Sequence, residues 1–161
     1  MQKKNIYEDL IWLDEETFIS KLFSDIYPEY FNLLTKIREE LSPIYNEPFA
    51  AITKCIFQKI VFEWDEIYRK EKFFLFPYLV FLKKENKKSE SDHAFNFIQP
   101  NYKSLVDLLS ELKASLTSTK ELLSGNYDNI LNKIEVFEHN ITKLQAIKED
   151  SLYRKYYKLL I

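Results

Sequence analysis

Two charged residues fall where the apolar pattern of the chain predicts a buried helix face. The first is Glu71. It belongs to a stripe that repeats at alternating intervals of four and three residues, the spacing of one inward face of a bundle helix. The members of this stripe are Ile60, Trp64, Ile67, Glu71, Phe74 and Tyr78. A carboxylate buried without a partner is very costly, so Glu71 requires a proton, a cation or a metal ion.

The second charged residue is Lys148, near the end of the chain. Apolar residues with the same alternation of four and three precede it: Ile130, Ile134, Phe137, Ile141 and Leu144. Continuing the count from Leu144 leads to Lys148. Because lysine is almost never fully buried unless it is paired, its place on this stripe is as unusual as that of Glu71.

The other residues of reactive type form no catalytic constellation. Cys55 is the single cysteine, so an intrachain disulfide is excluded, and we interpret it as a buried structural thiol. No serine lies in a glycine-containing nucleophile elbow, and no glycine-rich loop is present to cradle phosphate. We therefore predict no enzymatic activity and no catalytic or cofactor-binding residue.

The two histidines also lie in patterns that argue against metal binding. Glu90 and His93 form one Glu-x-x-His, whereas a carboxylate-bridged dimetal centre in a bundle needs two copies. His139 lies between two positions of the apolar stripe and should point away from the core. We expect both histidines to be mainly exposed.

Composition favours long helices in one domain. The chain has 161 residues, of which 46% are hydrophobic, with thirteen Phe, eleven Tyr, five Pro and one Gly. Bulky side chains with almost no glycine suit long helices and argue against a many-stranded sandwich or barrel. A chain of this length can bury a sufficient core as a single domain, residues 1–161.

The charge balance limits the classes of partner. The formal net charge is −2, from 23 basic and 25 acidic residues, so no strong field favours nucleic acid or an anionic membrane. No segment offers about 18 uncharged apolar residues, and the N-terminus lacks an apolar run of signal length. These features predict a cytoplasmic protein that binds neither nucleic acid nor membrane.

Start and stop signals place four long helices. Asp14 is a helix start, Pro28 predicts a kink or a break near Tyr27, and Pro77 predicts a bend in the second helix. Gly125 is expected in a left-handed conformation after the third helix. The four predicted helices cover residues 15–41, 48–84, 98–123 and 128–159.

The connections between these helices predict their arrangement. Two are short and one, residues 83–97, is polar, charged and expected to be flexible. Residues 1–13 form a lead-in, with Ile11 and Trp12 expected to dock on the helices. We therefore predict an all-α, up-down-up-down four-helix bundle.

The second helix carries more aromatic residues than one inward stripe requires. They are Phe57, Phe62, Trp64, Phe73, Phe74, Phe76 and Tyr78. Aromatic residues at helical spacing usually form core, but these surround more than one face of the helix. The surplus predicts a contact surface for another subunit or protein.

The segment 63–79, EWDEIYRKEKFFLFPYL, resembles the second-helix signature of hemerythrin-like proteins, particularly the di-iron branch implicated in repair of iron centres. In that signature a His is followed four residues later by a Glu and then by Leu-Phe-Pro. FSDIYPEYFNLL, IQPNYKSLVDLL and FEHNITKLQAIKEDSLY are similar to the other helices. The resemblance covers about residues 20–158. It implies a bundle holding two irons, for oxygen carriage or sensing, nitric oxide chemistry or iron supply.

Carried over position by position, the resemblance leaves one iron ligand. Glu71 matches the second-helix carboxylate, whereas the His four residues earlier is Ile67 and the third-helix His is Tyr102. The His and Glu of the fourth helix are Leu144 and Lys148. Such iron needs imidazoles and carboxylates, which Tyr, Leu and Lys do not replace.

The first-helix His of the family falls on Pro28 or Tyr30, depending on the alignment. The former metal-site positions that the resemblance implies are Tyr30, Ile67, Glu71, Tyr102, Leu144 and Lys148. We therefore expect no bound metal and no cofactor. The expected function is that of a metal-free interaction or regulatory module, with a protein partner or a second copy of the chain. The alternative is a non-haem di-iron protein that senses oxygen or nitric oxide, or supplies iron, through substitute ligands.

In the family the positions of Glu71 and Lys148 both bring carboxylates to the same irons, so we hypothesise that an ion pair between them replaces the metal. Either Tyr102 or Tyr30 would donate a hydrogen bond to the carboxylate. The other interpretation is that Lys148 extends to solvent and Glu71 is exposed near a helix bend.

Overall fold

The chain is helical throughout the part that can be described. The computed structural model describes residues 6–85 and 91–153, except the side chains of Ile6, Glu8, 91–95 and Tyr153. These ranges contain helices and turns and no β-strand, so the all-α prediction is confirmed for them. None of the described helices is long and apolar enough to cross a membrane.

Within these ranges the α-helices are α1 (Ile6–Leu10), α2 (Glu15–Lys21), α3 (Tyr27–Leu41), α4 (Ala51–Lys70), α5 (Phe76–Glu85), α6 (Ser91–Ser118) and α7 (Tyr127–Lys148). A first π turn at Leu22–Ile26 joins α2 to α3, and a second at Glu71–Leu75 joins α4 to α5. A third, at Glu149–Tyr153, extends α7. Four long helical segments result, as the sequence predicts: α2–α3, α4–α5, α6 and α7.

Two of the π turns end two residues before a proline, so the residue that follows each turn directly precedes the proline. The N–H of Tyr27 donates to the carbonyl of Leu22, and the N–H of Phe76 donates to that of Glu71, five positions earlier in each case. A proline inside an α-helix lacks its own donor and collides with the carbonyl four residues before it. The wider turn relieves this collision without breaking the segment. The irregularities predicted near Pro28 and Pro77 are therefore confirmed.

The second π turn also changes which residues face the core. A π turn inserts one residue into the helical repeat, so the buried stripe moves by one position after Glu71. Leu75, Leu79 and Leu82 are buried, whereas Phe74 is 61% exposed and Tyr78 is only half-buried. The prediction that Phe74 continues the inward stripe is wrong, because a strict repeat of four and three ignores the inserted residue.

Helix boundaries follow local signals in most places. The Asp14 carboxylate accepts a hydrogen bond from the backbone N–H of Thr17 at 2.9 Å and caps α2. Gly125 has a φ of 87°, as expected, and Ser124 before it is also left-handed. Helix α6 already begins at Ser91, inside the segment 83–97 predicted as a connection. Residues 86–90 and 154–161 lie outside the described ranges.

The lead-in contacts the bundle through a different residue from those predicted. Leu10, in α1, is completely buried, whereas Ile11 is 47% and Trp12 86% exposed. The expectation that Ile11 and Trp12 dock is wrong. Helix α1 is short and is followed by a turn, and its described contacts with the core come from Tyr7 and Leu10.

The core lies between the four long segments. Helix α4 packs along α6, and α3 packs along α7. The predicted stripes of α6 and α7 are buried, which confirms them: Leu105, Leu109, Leu112, Leu116, Leu123, Ile130, Ile134, Phe137, Ile141 and Leu144. Glu71 and Lys148 are buried within the same core.

Tyr45, in the turn between α3 and α4, generates a prediction about stability. Its hydroxyl is buried and has no hydrogen-bond partner among the described residues. Burial raises the pKa of Tyr45 to about 12. Because Tyr45→Phe removes an unpaired buried hydroxyl, we expect the free energy of unfolding at pH 7 to stay unchanged or to rise by about 1 kcal/mol. Urea titration measures this.

The free energies of unfolding of Tyr45→Phe and of the parent protein should differ more at alkaline pH. The folded-state pKa of Tyr45 lies above the ordinary value of 10.0, so ionisation of the phenol is easier in the unfolded chain than in the folded protein. The parent protein therefore keeps its full stability below pH 10 and loses stability as pH rises from 10 toward about 12. The advantage of Tyr45→Phe should therefore grow over that interval. Tyr127→Phe, at the start of α7, is a control, because the Tyr127 hydroxyl lies 3.4 Å from that of Thr117. A marked loss of stability in Tyr45→Phe at pH 7 would contradict the prediction.

Candidate functional site

Glu71 and Lys148 meet in the interior as an ion pair. The Lys148 Nζ atom lies 2.5 Å from Glu71 Oε1, and both side chains are 0% exposed. The hypothesis of a buried pair is therefore confirmed, and the interpretation that Lys148 extends to solvent is wrong. The two residues are 77 positions apart in sequence, so the fold brings this pair together.

Two tyrosines complete the site. The hydroxyl of Tyr27 donates to Glu71 Oε2, and that of Tyr102 donates to Glu71 Oε1 at 3.0 Å. Lys148 Nζ in turn donates to both hydroxyls, with 3.3 Å to that of Tyr27. Each phenol thus accepts a hydrogen bond from the ammonium and donates one to the carboxylate.

This arrangement matches the bonding capacity of the lysine. An ammonium group has three N–H donors, and the site supplies three acceptors to it: one carboxylate oxygen and two phenol oxygens. The Glu71 carboxylate receives hydrogen bonds on both of its oxygens. Since buried charges are tolerated only when they are paired and hydrogen-bonded, the two phenols make this pair possible.

Each long helical segment contributes one side chain, and three of the four lie beside a π turn. Tyr27 follows the first π turn, Glu71 opens the second and Lys148 precedes the third. π turns within α-helices are frequent at functional sites, where they change the direction in which a side chain points. The fourth side chain, Tyr102, comes from α6.

A polar network next to the site holds α6 against α4. The Asn101 side chain donates to the Glu63 carboxylate at 2.8 Å and accepts from Lys70 Nζ at 2.7 Å. The Ser104 hydroxyl also donates to Glu63, at 3.2 Å. These bonds flank Tyr102 on its own helix and so limit rotation and sliding of α6 at the level of the ion pair.

Aromatic rings surround the pair and keep its environment apolar. The Tyr27 ring meets Trp64 edge-on at 5.3 Å between centroids, and Trp64 also contacts Tyr30 and Phe137. Lys148 Nζ lies 4.6 Å from the centroid of the Tyr102 ring, within cation–π range. A shell of this kind strengthens the attraction between the charges and raises the cost of stranding either one.

Burial and pairing act on Lys148 in opposite directions. Removal from water disfavours the ammonium and lowers the pKa of Lys148, which is the largest effect. The charge and hydrogen bond of Glu71, and more weakly the charge of Glu149, act to raise it. Because the ammonium finds three acceptors within the site, we infer that the hydrogen-bonded ion pair is the form that this geometry favours.

The sequence predicts that Tyr102 or Tyr30 bonds the Glu71 carboxylate, and the structure shows this bond for Tyr102. Tyr102 donates to Glu71, but the Tyr30 hydroxyl instead donates to the backbone carbonyl of Asn140 at 3.0 Å. It also lies 2.7 Å from the Tyr7 hydroxyl, which ties α1 to α3. Burial raises the pKa of Tyr30. Tyr30 is therefore a structural link between helices and does not bond the carboxylate.

Tyr27 is the site residue that sequence reasoning missed. A regular helix over α2–α3 does not predict the π turn, which buries the adjacent residues Ile26 and Tyr27 together. The sequence signal for this turn is the position of Tyr27 immediately before Pro28. Ile67 and Leu144, the other positions that the resemblance matches to metal ligands, are buried apolar residues one turn before Glu71 and Lys148.

Two other residues of reactive type lie outside the site. Cys55 is exposed, so its interpretation as a buried thiol is wrong, because it lies on the outer side of α4. His139 is exposed, as predicted. The side chain of His93 lies outside the described residues.

The donor set around Glu71 does not fit an iron ion. It consists of one carboxylate, two phenol groups that bridge to it, and an ammonium that already supplies the positive charge. Among the side chains that the structure describes, which leave out those of Glu8 and residues 91–95, no three of His, Cys, Asp or Glu come together with metal-ligand spacing. The arrangement holds one carboxylate, one ammonium and two phenol groups in fixed positions relative to one another.

Comparison of the chain with protein-family models, with curated proteins and with solved structures gives no match. The site must therefore be interpreted from its own geometry.

The ion pair predicts an asymmetry between breaking it and replacing it. Lys148→Ala strands the Glu71 carboxylate, so we expect a loss of about 3–5 kcal/mol in the free energy of unfolding. A combined variant with Glu71→Leu, Lys148→Met, Tyr27→Phe and Tyr102→Phe removes both charges and both hydroxyls at similar volume. It should be near neutral or more stable than the parent protein. Chemical denaturation of purified variants measures both.

Lys133→Ala is the matched control on the same helix. Lys133 pairs with Glu40 at 2.6 Å, but the two side chains are 20% and 25% exposed. Its loss should cost about 1 kcal/mol or less, because solvent screens the pair. Equal costs for Lys148→Ala and Lys133→Ala would contradict the assignment of a strongly coupled buried pair.

Proposed function

We propose that the protein is a metal-free bundle of up-down-up-down, hemerythrin-like type, in which an internal ion pair stands in place of iron and the bundle serves as a protein-interaction or regulatory module. The observation that carries the proposal is the position of Lys148. Its ammonium bonds the Glu71 carboxylate at 2.5 Å on the helices to which the resemblance assigns iron-bridging carboxylates. A fixed positive charge there satisfies the remaining carboxylate as a metal ion would.

The interaction role is supported by the outer surface of α4. Ile52 and Phe62 are 68% and 62% exposed on this helix, and Phe49 in the preceding turn is 81% exposed. Exposed aromatic side chains of this size add apolar area that favours contact with another protein. Of the aromatic residues predicted as a surplus, Phe57 and Trp64 are buried, whereas Phe62, Phe73 and Phe74 are 62%, 60% and 61% exposed, so part of the surplus reaches the surface.

Restoring the family's ligands tests the loss of the metal. In the parent protein we expect less than about 0.1 iron per chain after anaerobic loading with Fe(II) and gel filtration, because an ammonium blocks the site. A variant with Ile67→His, Tyr102→His, Leu144→His and Lys148→Glu should retain iron. Elemental analysis gives the stoichiometry.

A matched control replaces Lys148→Glu in that variant by Lys148→Met. It removes the ammonium without adding a carboxylate, so it should bind less iron than the full set of ligands. Stoichiometric iron in the parent protein would contradict the proposal and favour the alternative, a non-haem iron protein with substitute ligands.

The interaction role has a separate test. The triple variant Phe49→Ser, Ile52→Ser, Phe62→Ser should weaken association, whereas Val136→Ser, a change at an exposed position on α7, should not. Sedimentation velocity over a range of concentrations detects a second copy, and affinity capture with the same variants detects another protein. Complexes that persist unchanged in the triple variant would show that these side chains are not the contact.

A further inference from the structure

A groove between α6 and α7 reaches the outer side of the ion-pair site. Its volume is about 440 Å³, within the range of small-molecule sites. Tyr102, Val106 and Ile141 supply an apolar floor and wall. Tyr102 is 8% exposed, and its hydroxyl bonds Glu71 and Lys148. The groove and the buried pair therefore share one side chain.

At one end of the groove, Gln145 holds an acceptor that is not satisfied. Gln145 Nε2 donates to Glu149 Oε1 at 3.2 Å, which orients the amide. The other amide atom, Oε1, is buried and has no hydrogen-bond partner among the described residues. A buried acceptor without a donor is costly, so a rotation of the amide that turns Oε1 toward a donor in the groove is favourable.

The charges around this end define the kind of donor. Glu149 lines the groove beside Gln145, and Asp107 lines it from α6. Lys103 is the one cationic residue among those that line the groove. The exposed Glu149 carboxylate thus places a negative charge next to the Gln145 amide and an apolar floor, which suits an N–H-bearing cation attached to an apolar body.

We propose that this groove is a binding site for a small amphipathic amine, whose alkyl or aromatic body packs on Tyr102, Val106 and Ile141 and whose protonated amino group is bound by Gln145 and Glu149. The groove shares Tyr102 with the positions that the resemblance matches to metal ligands, but amine binding does not require that iron was ever bound. Because the body of the amine contacts Tyr102, binding also stabilises the orientation of the phenol that bridges Glu71 and Lys148.

The test compares three probes that share one body: 2-phenylethylamine, 2-phenylethanol and 3-phenylpropionate. Titrations of the ¹⁵N-labelled full chain followed by ¹H–¹⁵N NMR give dissociation constants and the residues affected. We expect the amine to bind about tenfold tighter than the alcohol, with the carboxylate weakest, since only the amine satisfies the acceptors and the charge. Shifts should centre on residues that line the groove.

Two variants and a control locate the binding. Glu149→Gln keeps the shape of the rim, so it should weaken the amine about five- to tenfold and leave the alcohol within about twofold. Val106→Trp fills the groove and should weaken all three probes at least about tenfold. Val136→Trp is the control, because Val106 and Val136 are similarly exposed, at 39% and 42%, and Val136 is not a groove residue.

The proposal is overturned by any of three results. The first is equal affinity for the three probes, the second is amine binding that survives Val106→Trp, and the third is the absence of shifts at groove residues at millimolar probe. Tighter binding of the carboxylate would likewise overturn the assignment of an amine.

Discussion

The structure depends on one electrostatic constraint: an ammonium and a carboxylate that are removed from water must bond each other and have their remaining donors and acceptors satisfied. Glu71 and Lys148 meet this condition only together with Tyr27 and Tyr102. Each of the four side chains comes from a different helical segment. The pair and its two phenols therefore link all four segments at one level, and displacement of any segment would leave a buried charge without its ion-pair partner or without one of its hydrogen bonds.

The π turns that position Tyr27 and Glu71 result from the two prolines that follow them. Pro28 and Pro77 lack the N–H donor of a regular α-helix, and the π turns that accommodate them end just before Tyr27 and begin at Glu71. The inserted residue also rotates the helix that follows, so that Leu75 replaces Phe74 in the core. The same local adjustment thus helps to build the interior site and leaves an aromatic residue on the surface.

The buried ion pair and the groove between α6 and α7 share the side chain of Tyr102. A fixed ion pair does not need a metal to be satisfied, so the scaffold can be kept for binding. Tyr102 belongs to both the pair and the groove, and it is held in register by Asn101 and Glu63. A ligand in the groove, as proposed, would therefore contact the same side chain that bonds the interior ion pair.

The sequence by itself determined the helical class, the helix limits near Asp14 and Gly125, and the presence of two charges on inward stripes, because these are properties of composition and local periodicity. Only the tertiary structure decided that Tyr27 and not Tyr30 bonds the carboxylate, and that Cys55 is exposed. The reason is physical. One inserted residue in a π turn changes the direction of every later side chain, and contacts between residues 44 to 121 positions apart depend on how whole helices pack.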